Sequence, residues 1–266
     1  MKRPGDVHGT VISNERIAPD AFVLRYSDPA PAFRPGEFIQ VAAWDSSDPL
    51  LRRPMSVLDQ GDGWASFLYQ VTGRGTRIFA SLRPGDRVKA LGPLGNSFSE
   101  PPRDGVALVV AGGVGVAPFL MLVRELVKAG RETVVLLGAR DASRLYLERD
   151  LEREGARVLC ATENGERGTK GFVTALLEAE IARRGPRGIA RLYSCGPEPM
   201  LRAVHTIARA RGVPGEASLE RRMACGFGVC FTCVCPILDP KTGVTRNRRT
   251  CLDGPVIDLE RLPAGF

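Results

Sequence analysis

The sequence predicts a small β-barrel, then a doubly wound parallel α/β domain, then a short cysteine-rich module. Three observations carry this prediction. Short alternating segments bounded by Gly, Pro or Asp fill residues 5–100. Longer apolar segments separated by helical ones follow. Four of the seven cysteines then lie within Met223–Cys235. We therefore expect domains at residues 1–101, 102–215 and 216–266.

The composition is that of a globular protein of more than one domain. Of 266 residues, 44% are hydrophobic and 25% are charged. The N-terminal segment has no apolar region typical of a signal peptide, and no apolar run approaches the roughly 20 residues that span a bilayer. A cytoplasmic location is expected, where clustered cysteines bind metal more often than they form disulfides. Despite a net charge of +7, no Lys/Arg stripe is interleaved with aromatics, so neither nucleic acid nor a membrane is predicted as partner.

The first domain is expected to be an antiparallel barrel of six strands. Pro-Gly turns at Pro35-Gly36 and Pro84-Gly85 lead directly into strand-like segments. This spacing of short strands is typical of a small barrel. The proline-rich stretch from Ser99 to Gly105 is expected to be a linker. The six segments are GTVISN, AFVLRYS, EFIQVAAW, PMSVLDQ, WASFLYQVT and DRVKALG.

The second domain alternates buried strands with helices, which predicts a parallel sheet covered on both faces. Its strand segments are GVALVVAGG, ETVVLLGAR, ARVLCATE and ARLYSCGP. After the first strand, Gly112, Gly113 and Gly115 form a turn into a helix, where N–H groups favour a phosphate. The spacing is not G-x-G-x-x-G, so a tight turn without a ligand is the alternative. Cys195 follows the fourth strand, where ligands bind in open α/β folds, and a packed thiol is its alternative role.

The cysteine spacing is C-x4-C-x2-C, and seventeen residues separate the third cysteine from a fourth. This is the plant-type arrangement for a [2Fe–2S] cluster, and it makes Cys225, Cys230, Cys233 and Cys251 the candidate metal ligands. Gly226 and Gly228 allow the loop to take positive φ and bring N–H groups near sulfur. The alternative is a zinc site with four thiolate ligands. Such sites usually combine two short C-x2-C segments, whereas the fourth cysteine here stands alone.

Two features beside these cysteines remain outside the ligand set. Cys235 lies two residues beyond Cys233 and is expected to be a small buried residue. The basic run Arg246–Arg249 is interpreted as a solvated hairpin tip. Docking of a partner, or raising of the cluster potential by nearby guanidinium groups, is the alternative.

The stretch RPMS at Arg53 opens a barrel strand, where a guanidinium fork and the hydroxyl of Ser56 can hold a pyrophosphate. It resembles the Arg-x-aromatic-Ser/Thr flavin motif of the ferredoxin–NADP reductase family. GGVGVAPF and CGPEPM resemble that family's nicotinamide motifs, in the same order. The family's aromatic residue is Met55 here, so a backbone or thioether contact to the flavin is expected instead of ring stacking.

Further stretches narrow the resemblance to the electron-transfer subunits of NAD-dependent dihydroorotate dehydrogenase. They are YQVTGRGTR, LGPLGNSF, TENGERGTKGFVT and RMACGFGVCFTCVC with CLDGPV. The resemblance implies FAD at Arg53, Pro54, Met55, Ser56, Gln70, Val71, Thr72, Gly75 and Thr76. It implies NAD at Gly112, Gly113, Gly115, Cys195, Gly196 and Pro197. It also implies a partner, an FMN-containing barrel subunit that oxidises dihydroorotate in pyrimidine biosynthesis, in a heterotetramer with two copies of each subunit.

A flavin exchanges electron pairs with a nicotinamide and single electrons with a cluster, so the three sites together predict electron transfer. No pocket of acid–base residues is evident, so no catalytic residue is assigned and substrate chemistry is expected on another chain. The alternatives are a ferredoxin–NAD(P) reductase, a sulfite reductase or hydrogenase subunit, a zinc-stabilised interaction protein, or a free-standing NADH oxidase or flavin reductase. Arg140 and Arg144 suit an NADP 2′-phosphate, whereas the resemblance favours NAD.

Overall fold

The computed structural model describes residues 5–29 and 31–266. Residues 1–4 lie outside the described residues. They include the start of the predicted barrel domain and part of the N-terminal segment in which no signal peptide is predicted. Ala30, also within the predicted barrel domain, lies outside the described residues too.

The N-terminal strands are β1 (Gly5–Ala18), β2 (Ala21–Ser27), β3 (Phe38–Ala42), β4 (Arg53–Gly61), β5 (Trp64–Gln70) and β6 (Arg87–Leu94). They close into an antiparallel barrel in the order β1-β2-β5-β4-β3-β6. The barrel is confirmed, and each predicted segment coincides with one of its strands. Helix α1 (Arg74–Ser81), which the sequence analysis does not predict, follows β5.

Aromatic side chains fill the barrel, and α1 covers one end of it. Phe79 of α1 is fully buried and meets the rings of Phe67 and Tyr69 edge-on, at centroid distances of 5.8 and 5.7 Å. Such edge-to-face pairs are favourable beyond the area they bury. This packing fixes the start of α1 beside the end of β5.

The second domain is built on strands β7 (Val106–Gly112), β8 (Thr133–Ala139), β9 (Arg157–Thr162), β10 (Thr169–Lys170), β11 (Ile189–Cys195) and β12 (Gly215–Ser218). A further strand from the C-terminal segment, β15 (Val256–Asp258), completes a sheet of order β10-β9-β8-β7-β11-β12-β15. All pairings are parallel except that of β15 with β12. The four predicted strands are present, and the short β10, β12 and β15 are additional.

Helices cover both faces of this sheet, as expected for a doubly wound fold. They are α2 (Phe119–Lys128), α3 (Glu148–Arg153), α4 (Val173–Arg184) and α5 (Glu198–Arg211). Alternate residues of β7 pack into two separate apolar clusters, Val109 with α2 and α3, and Leu108 with α4 and α5. The continuous apolar sequence of β7 follows from this burial on both faces.

The barrel packs against α2. Arg124 donates to both carboxylate oxygens of Asp59 on β4, at 2.6 and 3.0 Å, and also to Glu154 at 2.7 Å. Met121 of α2 joins the apolar cluster of the barrel. A bidentate ion pair beside apolar packing fixes the orientation of the two domains.

The cysteine segment contains a hairpin of β13 (Val234–Leu238) and β14 (Thr245–Arg249), followed by α6 (Thr250–Asp253). The basic run Arg246–Arg249 therefore lies along β14, and not at the hairpin tip as expected. The end of β6 is tied to β15, because the Asn96 side chain bonds both N–H and C=O of Val256 at 2.9 Å. Within the described ranges, no helix is long and apolar enough to cross a membrane.

Glu180 on α4 anchors this helix to the sheet. Its carboxylate accepts from Arg157 on β9 at 2.6 Å, and from Arg183 and Arg184 at 2.7 and 3.0 Å. Burial alone raises the pKa of Glu180, but the three guanidinium hydrogen bonds outweigh it and lower the pKa from 4.5 to about 2.

We predict that Glu180→Gln removes an acid-dependent part of the stability. A carboxyl whose pKa is lower in the folded state stabilises it fully above pH 4.5, and this contribution is lost as the pH falls toward 2. The variant should lose about 2 to 3 kcal/mol of unfolding free energy at pH 7 and less at pH 3. Urea titrations at several pH values measure this. Glu178→Gln, at an exposed position of the same helix, is the control, and equal losses at both pH values would contradict the prediction.

Candidate functional site

The four candidate cluster ligands come together as two pairs. The Cys225 N–H donates to Sγ of Cys230 at 3.5 Å, which places these two residues side by side. Cys233 and Cys251 form the second pair, buried together against Phe38 of β3. The sequence separates Cys233 from Cys251, but β13 and β14 return the chain so that the N–H of Thr250 donates to the Cys233 carbonyl at 2.9 Å.

This arrangement fits a group that contains two metal ions. Among the described residues, no three side chains of His, Cys, Asp or Glu are placed to hold a single ion. A structural zinc site needs four donors around one ion. A [2Fe–2S] cluster is held by four thiolates spread over two irons, which two adjacent thiol pairs suit better.

Glycines let the loop wrap closely around this position. Gly226 and Gly228 have φ of +79° and +90°, as expected from the sequence. A Cβ at Gly226 would lie 2.5 Å from Cγ of Gln40, and one at Gly228 would lie 2.3 Å from Cδ1 of Leu252. Larger residues are therefore excluded by backbone conformation and by contact.

The two pairs differ in their surroundings. Cys230 is exposed, and hydrogen bonds from the Cys225 N–H and then from Thr232 lower its pKa to about 6. Burial, and then the adjacent Cys233 thiol, raise the pKa of Cys251 to about 12. Metal binding at Cys251 would therefore release a proton.

The neighbours of the four cysteines have structural roles. Cys235 is buried as predicted, and its sulfur accepts from the Thr250 hydroxyl at 3.3 Å. Arg249 donates to the Gly228 carbonyl at 2.8 Å and lies 4.7 Å from the ring centroid of Phe231. Arg249 thus holds the loop, whereas residues 246–248 are exposed.

The predicted flavin motif lies on β4, directly beside β3. Cross-strand pairs place Pro54 opposite Gln40 and Ser56 opposite Phe38. Cross-strand partners face the same side, so Pro54 and Ser56 are on the side of the cysteine segment. Met55 is on the other side, where it packs at the edge of the barrel core.

Arg53 reaches from β4 to the start of α1. A Cβ at Gly75 would lie 2.7 Å from its Nε, so glycine is required for this approach. The Thr76 hydroxyl accepts from the N–H groups of Thr72 and Gly73 at 3.0 and 3.1 Å, which fixes the turn before the helix. The predicted FAD residues therefore lie along the barrel from β4 to the end of β5 and the start of α1, and among them the Met55 side chain faces the barrel core.

A cavity of about 840 Å³ separates the barrel from the α/β domain. This volume is that of a typical small-molecule site. From the predicted FAD set it is lined by Gln70, Val71 and Thr72, and from the predicted NAD set by Gly112, Gly113 and Pro197. The other predicted nucleotide-site residues do not line it: Arg53, Pro54, Met55, Ser56, Gly75, Thr76, Gly115, Cys195 and Gly196.

The glycines of the second domain allow two turns to touch. A Cβ at Gly115 would lie 2.6 Å from the Cys195 carbonyl, and one at Gly112 would lie 2.8 Å from Sδ of Met200. These turns follow β7 and β11, between which the strand order reverses, and ligands bind at such points. Cys195 is buried there, and burial raises the pKa of its thiol, so it packs beneath the cavity.

Arg140 and Arg144, considered above as partners of an NADP 2′-phosphate, both line the cavity. Several further cavity residues are absent from the sequence-based set. Glu163 directly follows β9 and Phe172 follows β10, so their position after parallel strands was an available signal. Arg144 is held by Asp141 at 2.6 Å and by Asp20 of the barrel at 3.6 Å. The remaining cavity residues outside the predicted set are Asp20, Val114, Gly138, Ala139, Gly171, Val173, Thr174, Pro199, Met200, Ala203 and Glu220.

Comparison with family models gives two matches. Residues 220–263 match the iron–sulfur cluster binding domain of dihydroorotate dehydrogenase B. Residues 109–206 match an oxidoreductase NAD-binding domain. The two matched ranges include the cysteine pairs and the glycine turns described above.

Curated relatives and a solved structure match nearly the whole chain. The dihydroorotate dehydrogenase B (NAD(+)) electron transfer subunit of Desulforamulus reducens is 37% identical over 92% of this chain and 94% of its own. That of Geobacillus kaustophilus is 40% identical over 84% of each chain. A solved NADH-dependent reduced ferredoxin–NADP oxidoreductase, studied for flavin-based electron bifurcation, aligns with a TM-score of 0.82 and 27% identity, covering 97% of this chain and 90% of that one.

These similarities confirm the predicted fold and the three predicted cofactors, FAD, a [2Fe–2S] cluster and NAD. They favour the cluster over zinc, in agreement with the paired thiols. The chain belongs to the family of electron transfer subunits of dihydroorotate dehydrogenase B (NAD(+)).

Proposed function

We propose that this chain passes electrons from a separate dihydroorotate-oxidising flavoprotein to NAD+, by way of its [2Fe–2S] cluster and FAD. The observation that carries the proposal is the order of the sites through the molecule. The buried thiol pair packs on the outer side of β3, the flavin motif lies on the adjacent β4, and the cavity opens beyond the end of β5.

Each part of the chain contributes a separate task. When bound, FAD exchanges an electron pair with the nicotinamide and single electrons with the cluster. Arg53 and the turn before α1 would hold the FAD pyrophosphate. Gly112, Gly113 and Pro197 would seat the nicotinamide nucleotide at the carboxyl ends of β7 and β11. The four cysteines would ligate the two irons.

The substrate chemistry belongs to a partner in this proposal. The relatives are named as electron transfer subunits, which implies a catalytic subunit. We propose that it is the FMN-containing dihydroorotate dehydrogenase barrel of pyrimidine biosynthesis, in a heterotetramer with two copies of each subunit. The division into domains at 1–101, 102–215 and 216–266 and a cytoplasmic location remain parts of this proposal.

The cysteine loop offers a docking face for such a partner. Phe227, Val229 and Phe231 are 46%, 71% and 61% exposed, and they surround the exposed Cys230. Three large apolar side chains exposed within five residues are typical of an interaction site. A partner seated there would lie next to the outer thiol pair.

The function predicts two reductants with different requirements. NADH should reduce the FAD and the cluster of the purified holoprotein, whereas dihydroorotate should reduce them only when the dehydrogenase subunit is added. Anaerobic stopped-flow absorbance measures both reactions. Reduction by a ferredoxin or a hydrogenase subunit, with none by the dihydroorotate system, would instead support the alternative reductase function.

The ligand assignment predicts a selective loss of iron. Serine at Cys225, Cys230, Cys233 or Cys251 should abolish stoichiometric iron while FAD is largely retained, because the flavin surface lies on the barrel. Cys235→Ser is the matched control, since this thiol is as buried as those of Cys233 and Cys251 but is not a proposed ligand. Metal analysis and the flavin absorbance measure the two contents. Stoichiometric iron in all four variants, or zinc in its place in the wild-type chain, would refute the assignment.

The docking face predicts a specific loss of partner binding. Val229→Asp or Phe231→Asp should weaken association at least tenfold, because a charge is then buried in an apolar contact. Iron content checks that the cluster survives. Ile12→Asp changes an exposed apolar residue of the barrel and should leave association unchanged. Equal affinities for all variants in calorimetry would place the interface elsewhere.

A further inference from the structure

Gln40 of β3 has a buried side chain whose polar ends lack partners. The residue has no exposed surface, and neither Nε2 nor Oε1 forms a hydrogen bond. A buried amide without partners destabilises a folded protein, so such a group in a native structure needs an explanation.

The other two glutamines of the chain do form hydrogen bonds, so the lack of partners is specific to Gln40. Gln60 accepts from the Phe33 N–H at 2.8 Å and donates to the Phe33 carbonyl at 2.7 Å. Gln70 donates to Asp20 at 2.6 Å. Gln40 alone among the three has both ends unbonded, although it is the most buried.

The position of Gln40 indicates what its partner is. Phe38, two residues earlier and on the same side of β3, packs against Cys233 and Cys251. The loop backbone lies directly on Gln40, since a Cβ at Gly226 would be 2.6 Å from Nε2. Pro54, opposite Gln40 on β4, belongs to the flavin motif and has no N–H to offer. Gln40 therefore lies between the flavin strand and the loop of Cys225.

We propose that the Gln40 carboxamide donates an N–H to a sulfur of the [2Fe–2S] cluster and raises its reduction potential. This inference rests on the proposed function, which supplies the cluster. The sulfur atoms of a cluster are acceptors only, so the nitrogen end of the amide faces them. A reduced cluster carries one more negative charge, and a hydrogen bond to sulfur stabilises it more than the oxidised form.

Pulsed EPR on the reduced holoprotein tests this directly. With ¹⁵N in the side-chain amides of the three glutamines, the wild-type cluster should show a ¹⁵N hyperfine coupling. The coupling should persist in Gln60→Leu, which removes a fully bonded amide of the same barrel, and disappear in Gln40→Leu and Gln40→Glu. Gln40→Glu keeps the size of the side chain and covers the case in which the leucine variant does not fold.

A redox titration gives the second readout. At a fixed solution potential, the ratio of reduced to oxidised cluster should fall about tenfold in Gln40→Leu, which removes the N–H donor, and should also change in Gln40→Glu. Gln60→Leu should not change the ratio. An intact wild-type cluster without the coupling, or one whose potential does not respond to either Gln40 variant, would overturn the inference alone. A wild-type chain that binds no iron would overturn the proposed function as well.

Discussion

Burial of β3 on both faces is the constraint on which the proposed electron path depends. Its inward residues Ile39 and Val41 fill the barrel, and its outward residues Phe38 and Gln40 are covered by the cysteine segment. Most barrel strands expose their outer side to water, so an outward apolar residue needs a cover. The cover here is the loop that carries the thiols, and the flavin motif lies one strand away. The same contacts therefore cover the outer side of β3 and place the cysteines next to the flavin motif.

The candidate cluster site combines a buried thiol pair with a pair that is only partly covered. Cys233 and Cys251 are buried against the barrel, whereas Cys230 is exposed and has a much lower pKa than Cys251. The buried pair attaches the candidate metal site to β3. Cys230 is the thiol that a partner can approach. The positive φ at Gly226 and Gly228 allows the loop to turn between the half-buried Cys225 and the exposed Cys230.

Sequence patterns predicted the parts of the structure that have a regular spacing of residue types, namely the barrel strands and the cysteine segment. Alternation located all six barrel strands, and cysteine spacing indicated the four candidate ligands, which the fold brings together as two pairs. Helix α1 was missed because its eight residues begin Arg-Gly and carry no long apolar stripe. Strands β12 and β15 have four and three residues, too few for a periodic signal. Gln40 was not identified because a polar residue at an outward barrel position is normally solvated, and only the folded loop shows that it is buried.

Because β15 pairs with β12, the barrel, the α/β sheet and the cysteine segment each contact the other two. The barrel is fixed to the sheet through Arg124 and Asp59, the cysteine segment to the barrel through Phe38, and the cysteine segment to the sheet through β15. Because each of the three parts contacts the other two, none can move without breaking one of these contacts. The distances between the proposed redox sites are thus fixed by the fold, and the proposed electron transfer requires no movement of a domain.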